Sequence, residues 1–485
     1  MAELNRDDLF TILKIISNIL RFMGLFILVP LAVAVFYSEE VFIQLFLAMV
    51  ALLVVPFSAI YANIPDGEVS AKHAIISIAV CWFLLGFIGS IPYLASGFSA
   101  VNAFFESVSG FSTTGLTMVP DPQVLSPTLG FWRAYTQWLG GFGIVVLALM
   151  FFEKPKTAKE LFFAEGRSED FYSNVFKIAR MIMAIYLLYT ALGIILYLFA
   201  GLSLYDAILH CFTALATGGF STRANGVGEF GMPAMIATLI IMTLGGIGFI
   251  SHMDLLKGKL RAFFANPEIK FFFIIIAIST LLIFVQAFFY QTFHYFDFFF
   301  YVVSALTTTG AGTFFAVAQM PTFAITIILV LMIFGAGYGS TGGAMKLWRV
   351  LIVFKAIRRE IYKALLPSKA VVPVRLGGRI VPEETVMAVL SFVALYIFVF
   401  MVGTLIFMFV PAPAEPYNYS LQEASFTVAS AQGTVGLGVI PVGDVRWLGM
   451  NDILKILLSL HMILGRMEIL PFFIMLKSFG IIRKI

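Results

Sequence analysis

Ser112-Thr113-Thr114-Gly115-Leu116 is one of four related segments in this chain of 485 residues, and these segments decide the fold. The other three are Ala216-Thr217-Gly218-Gly219-Phe220, Thr307-Thr308-Thr309-Gly310-Ala311 and Gly433-Thr434-Val435-Gly436-Leu437. Each has a threonine two positions before a shared glycine, and each follows a helix-length stretch of small and apolar residues. The shared glycines are spaced by 104, 91 and 126 residues. Four occurrences at a period near 100 residues predict four structural repeats.

A second glycine position supports the same repeat. Gly140, Gly245, Gly335 and Gly465 follow the shared glycines by 25, 26, 25 and 29 residues, each within the next apolar stretch. Any one of them is equally compatible with close helix packing. The matched register favours a repeat made of one helix, a short re-entrant helix with its glycine loop, and a second helix.

The composition is that of a membrane protein. Hydrophobic residues make up 60% of the chain and charged residues 12%, about half the charged fraction of a soluble domain. Uncharged stretches of about 20 residues can cross a bilayer as helices, and their lack of alternation argues against spanning strands. Ten spanning helices are predicted, at roughly 10–37, 41–62, 72–96, 130–152, 173–200, 232–256, 270–291, 322–353, 384–411 and 453–480.

The basic residues predict the orientation. Of the 31 Lys and Arg residues, 25 lie on one side of the ten-helix arrangement, and Arg133, Arg223, Arg446 and Lys455 lie on the other. The positive-inside rule therefore places both termini in the cytoplasm, with the chain in the cytoplasmic, or inner, membrane. The stretches 153–180, 257–270 and 349–381 hold 18 of the basic residues. We expect them to dock a cytosolic partner, the alternative being a solvated, lipid-facing surface.

The predicted fold class is an all-α integral membrane protein of ten transmembrane helices, with four pseudo-fourfold helix–re-entrant pore loop–helix repeats like those of potassium channels. An N-terminal two-helix segment at 1–66 precedes pore repeats at 67–165, 166–262, 263–375 and 376–485. The third repeat is expected to hold an intramembrane gating loop.

The four loops have the chemistry of a cation filter. Backbone loops within a membrane must be surrounded by protein or line a wet cavity, and carbonyls that meet on one axis can replace the water around an ion. Glycine permits backbone conformations that turn carbonyls inward, and the C-termini of the short helices add negative potential. The predicted K+-binding residues are Thr113, Thr114, Gly115, Thr217, Gly218, Gly219, Thr308, Thr309, Gly310, Thr434, Val435 and Gly436, and no other metal site is expected.

Carboxylates outside the loops are predicted to form a weakly acidic vestibule that concentrates cations. Each of them taken singly is better explained as a solvated loop residue. They are Glu106, Asp121, Asp206, Glu229, Asp297, Glu423 and Asp444.

The glycine run at 335–343 should interrupt its helix in mid-membrane, because each glycine costs about 1 kcal/mol relative to alanine. Residues 337–342 also match G-x-G-x-x-G, but that motif indicates dinucleotide binding only in a strand–turn–helix unit. No cofactor is therefore expected on this chain. A flexible loop at this point could occlude the pore, and a static kink is the alternative.

Two basic residues lie within predicted spans, where ionised groups face a partner or a wet cavity. We expect Arg466 to donate hydrogen bonds to the loop carbonyls or to Glu468. The residues assigned to gating are Gly337, Gly339, Ser340, Thr341, Gly342, Gly343, Lys346, Arg466 and Glu468.

The four loop segments, with Gly-Ser-Thr-Gly-Gly-Ala-Met-Lys at 339–346 and Leu-Gly-Arg-Met-Glu at 464–468, resemble the Trk/Ktr/HKT superfamily of potassium transporters. The resemblance covers essentially the whole chain, and the two extra N-terminal helices resemble the TrkH branch rather than KtrB. It implies a homodimer with one pore per protomer, gated at the glycine run. It also implies regulation by a cytosolic ring of the TrkA type, which would bind the nucleotide.

The same resemblance bears on the ion. In the plant HKT branch a serine in the first loop accompanies sodium selectivity, so Gly115 favours K+. Val435 departs from the threonine of repeats 1 and 3, and potassium channels also have valine before this glycine.

The predicted function is thus potassium uptake through the four glycine loops, under the control of the gating loop and a cytosolic partner. A sodium- or proton-coupled cation symporter of the same fold remains the alternative. An inverted-repeat transporter is disfavoured, because the four repeats start on the same side. An enzyme is disfavoured as well, because the sequence has no HExxH, paired-cysteine or Ser/His/Asp arrangement. Membrane lipid is an expected partner and nucleic acid is not.

Overall fold

The computed structural model describes residues 4–65, 67–143, 175–291, 294–367, 370–413 and 418–480, and the regular secondary structure of these residues is almost entirely helical. In the first half the helices are α1 (Arg6–Phe26), α2 (Leu28–Phe36), α3 (Glu40–Asn63), α4 (Ala71–Ala95), α5 (Ala100–Phe111), α6 (Pro127–Phe142), α7 (Val175–Phe199), α8 (Leu204–Leu215), α9 (Met232–Gly246) and α10 (Phe249–Leu256). In the second half they are α11 (Leu260–Ala265), α12 (Pro267–Phe289), α13 (Tyr295–Leu306), α14 (Thr322–Phe334), α15 (Leu347–Lys363), α16 (Glu383–Phe409), α17 (Leu421–Gln432), α18 (Val445–Leu448), α19 (Asp452–Arg466) and α20 (Leu470–Ser478). Strands β1 (Arg375–Leu376) and β2 (Arg379–Ile380) form a small antiparallel hairpin.

The long apolar helices confirm a helical, multi-pass membrane protein. Within the described ranges six helices are long and apolar enough to cross a membrane, with α1 and α2 counted as one; the others are α3, α4, α7, α12 and α16. The bent pair α9 and α10 makes a seventh if it is one crossing. Ten crossings and the four repeat boundaries stay predictions, and residues 144–152 of the fourth predicted span lie outside the described ranges.

Two helices that the sequence predicts to be continuous are broken. The predicted span 232–256 consists of α9 and α10, which meet at 110°, and the predicted span 453–480 is divided into α19 and α20. At the second break Glu468 and Ile469 have positive φ angles of 60° and 53°. At the first, the amide of Phe249 donates to the carbonyl of Gly339 at 3.1 Å, and Gly337 donates to the carbonyl of Gly246 at 2.9 Å. The backbone groups that lose their helical partners at this bend therefore pair with a segment that is distant in sequence. No local signal in 232–256 indicates this pairing.

The short helices α5, α8, α13 and α17 lie in the interior of the bundle. Their C-terminal halves are buried almost completely, whereas the long helix α3 exposes large apolar side chains such as Leu47, Leu52 and Val55. Apolar side chains turned outward suit contact with lipid. The bundle thus holds four short helices, and the loops that follow them, away from the membrane.

Candidate functional site

The loops after α5, α8, α13 and α17 share one backbone conformation; we call them the first to fourth central loops, residues 112–116, 216–220, 307–311 and 433–437. The second residue of each is a threonine with positive φ: Thr113 58°, Thr217 52°, Thr308 57° and Thr434 50°. The shared glycines also have positive φ: Gly115 90°, Gly219 73°, Gly310 70° and Gly436 93°. Positive φ is a strained conformation for a β-branched residue, and such strain is typical of functional sites. The same conformation thus recurs in all four segments that the sequence relates.

The hydrogen bonds of the central loops repeat as well. In each loop the amide just before the shared glycine donates to the carbonyl five residues earlier. The pairs are Thr114 and Ser109 at 2.9 Å, Gly218 and Thr213 at 2.8 Å, Thr309 and Ser304 at 2.9 Å, and Val435 and Ser430 at 2.8 Å. Each loop is thereby anchored to the end of its own short helix.

The four central loops contact one another in a closed ring. A methyl group built on Gly115 would overlap the carbonyl oxygen of Gly218, and one built on Gly219 would overlap that of Thr309. The ring continues from Gly310 to the carbonyl of Val435 and closes from Gly436 to that of Thr114. Every shared glycine thus lies against the carbonyl that precedes the glycine of the next loop. No residue with a side chain fits these positions without a shift of the backbone.

Exposure separates the glycines from their neighbours. The threonines of the central loops are fully buried, whereas the four shared glycines are partly accessible. The hydroxyls of Thr114 and Thr309 bond to the side chains of Ser112 and Thr307 at 2.7 and 2.8 Å, and those of Thr113 and Thr217 bond to carbonyls. The accessible surface of the ring is therefore mainly backbone.

The second glycine register is confirmed in three repeats. Methyl groups built on Gly140, Gly245 and Gly465 would overlap the carbonyls of Phe111, Leu215 and Gln432, the last residues of their short helices. Gly335 differs, because it ends α14 with a φ of 73° and lies against Gly343 and Ala344. The third repeat is therefore the irregular one.

The predicted interruption of the third repeat is present. Helix α14 ends at Phe334 and α15 begins at Leu347, so residues 335–346 form a loop that we call the interrupting loop. Its Gly343 amide donates to the Thr308 hydroxyl at 3.0 Å. The Thr341 hydroxyl lies 3.1 Å from that of Thr217 and donates to the carbonyl of Gly245 at 3.0 Å. The interrupting loop therefore contacts threonines of the second and third central loops directly.

Arg466 holds the interrupting loop. Donation to loop carbonyls is one of the two contacts that the sequence predicts for it. Its guanidinium donates to the carbonyl of Thr341 at 2.5 Å and to those of Gly140 and Gly141 at the end of α6. Glu468, the other partner expected for Arg466, pairs with Arg349 of α15 at 2.5 Å. Arg466 thus bridges repeats 1, 3 and 4.

Most of the other predicted gating residues line a cavity of about 60 Å³ beside Arg466, and Gly337 is not among them. Its lining includes Gly339, Ser340, Gly342, Gly343, Lys346 and Glu468, together with Trp82 and Tyr338. The ammonium of Lys346 donates to the carbonyl of Gly342. The lining is largely polar, and freed backbone groups at membrane depth require polar surroundings of this kind.

Side chains beyond the central loops tie the fourth repeat to the first. The indole of Trp447 donates to the carbonyl of Thr117 at 2.8 Å. Arg446 pairs with Glu423 at 2.8 Å and with Asp444 at 2.9 Å, and its hydrogen bond lowers the pKa of Asp444. Glu423 and Asp444 are therefore paired rather than free vestibule carboxylates.

Glu106 does not belong to a vestibule. It is completely buried, and it lies 3.4 Å from the guanidinium of Arg133, which is 3% exposed. A buried carboxylate needs such a partner. Glu106 and Arg133 are 27 residues apart in sequence, and the only signal for their pairing is that both charges fall in apolar segments.

Comparisons with known proteins identify the family. The model of the TrkH family, described as cation transport proteins, matches residues 39–479. An uncharacterised cation transporter of Methanocaldococcus jannaschii is 30% identical over 94% of this chain and 96% of its own length. The Trk system potassium uptake protein TrkH of Escherichia coli is 29% identical over 83% of this chain and 84% of its own.

A solved structure matches the fold. The crystal structure of the potassium transporter TrkH from Vibrio parahaemolyticus superposes with a TM-score of 0.84 at 26% identity, over 96% of this chain and 98% of that one. The family match and the fold define a membrane transport protein for cations. The chain belongs to the TrkH family of cation transport proteins.

Proposed function

We propose that this chain takes up K+ across the cytoplasmic membrane through a pore whose selectivity filter is the ring of central loops. The observation that carries the proposal is the closure of the ring, in which each shared glycine lies against a carbonyl of the next loop. Backbone carbonyls arranged around an axis are the ligands that replace water around K+. The TrkH relatives, which are named as potassium uptake proteins, support K+ as the ion.

The electrostatics of the ring favour a cation without any charged side chain in the loops. The C-terminus of each short helix leads directly into its central loop, so four helix dipoles direct partial negative charge to the same place. The twelve residues of the proposed ion-binding set are Thr, Gly and Val only. An anion would meet carbonyl oxygens on every side, so the ring favours conduction of a cation. The arrangement proposed around it is the one predicted from the sequence, with ten helices and four repeats.

We propose further that the interrupting loop is the gate. It touches threonines of two central loops, and Arg466 fastens it to helix α6. In the repeat arrangement it lies on the cytoplasmic side of the ring. If the interrupting loop were instead a static kink, it would serve only to terminate α14. The results expected for replacement of Arg466 distinguish a gate from a kink.

Flux measurements on the purified protein in proteoliposomes test the proposed function. A K+ gradient alone should drive K+ flux, and an imposed Na+ or H+ gradient should not drive K+ uphill. Uphill K+ movement driven by either gradient would instead establish the coupled symporter, the second function that this fold allows. Absence of K+ movement under every gradient would contradict both.

The proposed assembly is a homodimer with one pore per protomer, regulated by a cytosolic nucleotide-binding ring. The names of the relatives as Trk system proteins support a multi-subunit system. The proposed docking face comprises 153–180, 257–270 and 349–381, of which 153–174, 368 and 369 lie outside the described residues. Arg358 on α15 is exposed, while Arg359 pairs with Glu360 and Glu383 of its own chain.

The docking face leads to a binding prediction. Arg358→Glu should weaken binding of the ring about tenfold, because a reversed charge on a complementary surface repels the partner. Arg6→Glu is the matched control, since it reverses an exposed arginine on the same proposed side of the membrane but outside the docking face. Binding is measured with detergent-purified protein and immobilised ring at two salt concentrations. Equal affinity of Arg358→Glu and the unaltered chain would remove α15 from the docking face.

A further inference from the structure

A second set of equivalent positions lies behind the central loops, nine residues before each shared glycine. These positions hold Glu106 on α5, His210 on α8, Tyr301 on α13 and Thr427 on α17. All four side chains are buried, with exposed fractions of 0, 4, 2 and 1%. The repeats thus place four polar groups of different chemistry at one location, where apolar packing would be cheaper.

In the first repeat Glu106 holds the chain that leaves the central loop. Its Oε1 accepts hydrogen bonds from the Thr117 hydroxyl at 2.7 Å and from the amide of Met118. These residues follow Gly115 by two and three positions. Arg133 neutralises the carboxylate and donates to the same Thr117 hydroxyl at 3.0 Å. Its guanidinium also lies 4.1 Å from the ring centroid of Phe220, the residue after Gly219.

The second and third repeats have the same contact with other groups. His210 Nε2 lies 3.0 Å from the hydroxyl of Ser221, two residues after Gly219. The Tyr301 hydroxyl accepts from the amide of Thr313, three residues after Gly310, at 3.1 Å. It also donates to the carbonyl of Phe315 at 2.9 Å. A carboxylate, an imidazole and a phenol thus each fasten the chain two or three residues beyond the shared glycine of a central loop.

The fourth repeat lacks this contact. The Thr427 hydroxyl oxygen is buried without a hydrogen-bond partner among the described residues. The chain after Gly436 continues with Leu437 and Gly438, which offer no side-chain partner. Among the described residues, the side chain at this position of α17 therefore does not fasten the chain beyond Gly436, although the Gly436 amide itself donates to the Ser430 hydroxyl at 2.9 Å.

We propose that Glu106, His210 and Tyr301 are positioning residues that brace the outer ends of the first three central loops and thereby set the discrimination between K+ and Na+. The proposal rests on the central loops being the selectivity filter. Ring carbonyls distinguish cations through the number and placement of oxygens around the ion. A segment fastened two or three residues beyond the glycine limits how far its carbonyls can move towards a smaller ion. The fourth loop, without a brace, has the greatest freedom to move.

Tyr301→Phe is the cleanest test, because it removes one hydroxyl and leaves the ring and its packing. We expect the K+/Na+ permeability ratio of the full chain in proteoliposomes to fall about fivefold or more, because one hydrogen bond of ordinary strength corresponds to about fivefold and the hydroxyl makes two. Tyr186→Phe is the matched control, since that buried phenol donates to the carbonyl of Trp138 on α6 at 3.0 Å and not to the chain that follows a central loop. Thr427→Val removes a hydroxyl that has no partner, so its ratio should stay within about twofold of the unaltered chain.

Glu106→Gln extends the test to the charged brace. The amide keeps the shape of the carboxylate but leaves Arg133 as an uncompensated buried cation, and we expect a fall of about tenfold or more. Glu40→Gln, which removes an exposed carboxylate in the first turn of α3 that is not among the predicted vestibule residues, controls for charge. Should Glu106→Gln fail to fold, Tyr301→Phe remains decisive.

The outcomes separate the braces from the filter itself. If Gly115→Ser lowers the permeability ratio while Tyr301→Phe leaves it unchanged, the filter stands and the braces are overturned. An equal loss in Tyr186→Phe would assign the effect to general destabilisation and would also overturn them. If Gly115→Ser has no effect either, the central loops are not the filter, and the proposal fails together with the proposed function.

Discussion

Replacing Arg466 by alanine should raise K+ flux in the absence of any partner by about tenfold or more. The guanidinium donates to the carbonyls of Thr341, Gly140 and Gly141, and these bonds tie the interrupting loop to α6. Hydrogen bonds to charged groups contribute about 1.5–3 kcal/mol each, and a two-state gate shifts about tenfold for every 1.4 kcal/mol of differential stabilisation. Loss of this side chain therefore favours the open state.

Single-channel recording measures the effect as open probability, while the K+/Na+ permeability ratio should stay unchanged. A deletion within 337–343 should act in the same direction, because it removes the obstruction itself. Arg223→Ala is the matched control, since Arg223 donates to Gln123 far from the interrupting loop. Unchanged open probability in both the deletion and Arg466→Ala would leave the loop as a static kink. Changed selectivity at constant open probability would make these residues supports of the filter.

Gly115→Ser should lower the K+/Na+ permeability ratio about tenfold or more. The new Cβ would overlap the carbonyl oxygen of Gly218, so one or both loops must move and one quarter of the ring changes shape. The φ of 90° at Gly115 adds conformational strain for any residue with a side chain.

Gly97→Ser separates strain from overlap. Gly97 has nearly the same φ, 88°, but a Cβ there meets nothing within 4 Å, so it reproduces the strain alone. Both variants are compared by reversal potentials in mixed K+ and Na+ solutions. A permeability ratio that is equally unaffected in both variants would refute the filter assignment.

Much of this site follows from residue patterns. The glycine loops, the interruption before Leu347 and the role of Arg466 as a donor to loop carbonyls were all predictable, because each depends on glycine geometry or on a charge at membrane depth. These signals are local in sequence. In the structure the four glycine loops contact one another, and Arg466 contacts the interrupting loop.

The remaining features depend on partners far away in sequence. At the bend between α9 and α10, the freed backbone groups are paired by the interrupting loop, which lies about 90 residues later in the sequence. The sequence predicts Glu106 in the vestibule, because a single carboxylate in a helix gives no sign that it is buried. Its burial follows from its neighbour in space, Arg133, which neutralises it. The pairing of Glu468 with Arg349 likewise requires α15 and α19 to be placed in space.

The closure of the ring has a consequence for biosynthesis. The contact between Gly436 and the carbonyl of Thr114, and the bond from Trp447 to Thr117 across 330 residues, join the last quarter of the chain to the first. A ribosome that adds about 5–20 residues per second delivers these partners tens of seconds apart. Until the fourth central loop is made, the first and third loops each lack one neighbour of the ring. A nascent chain truncated before residue 436 therefore has an incomplete ring, with the carbonyls that face the missing loop left without their neighbour.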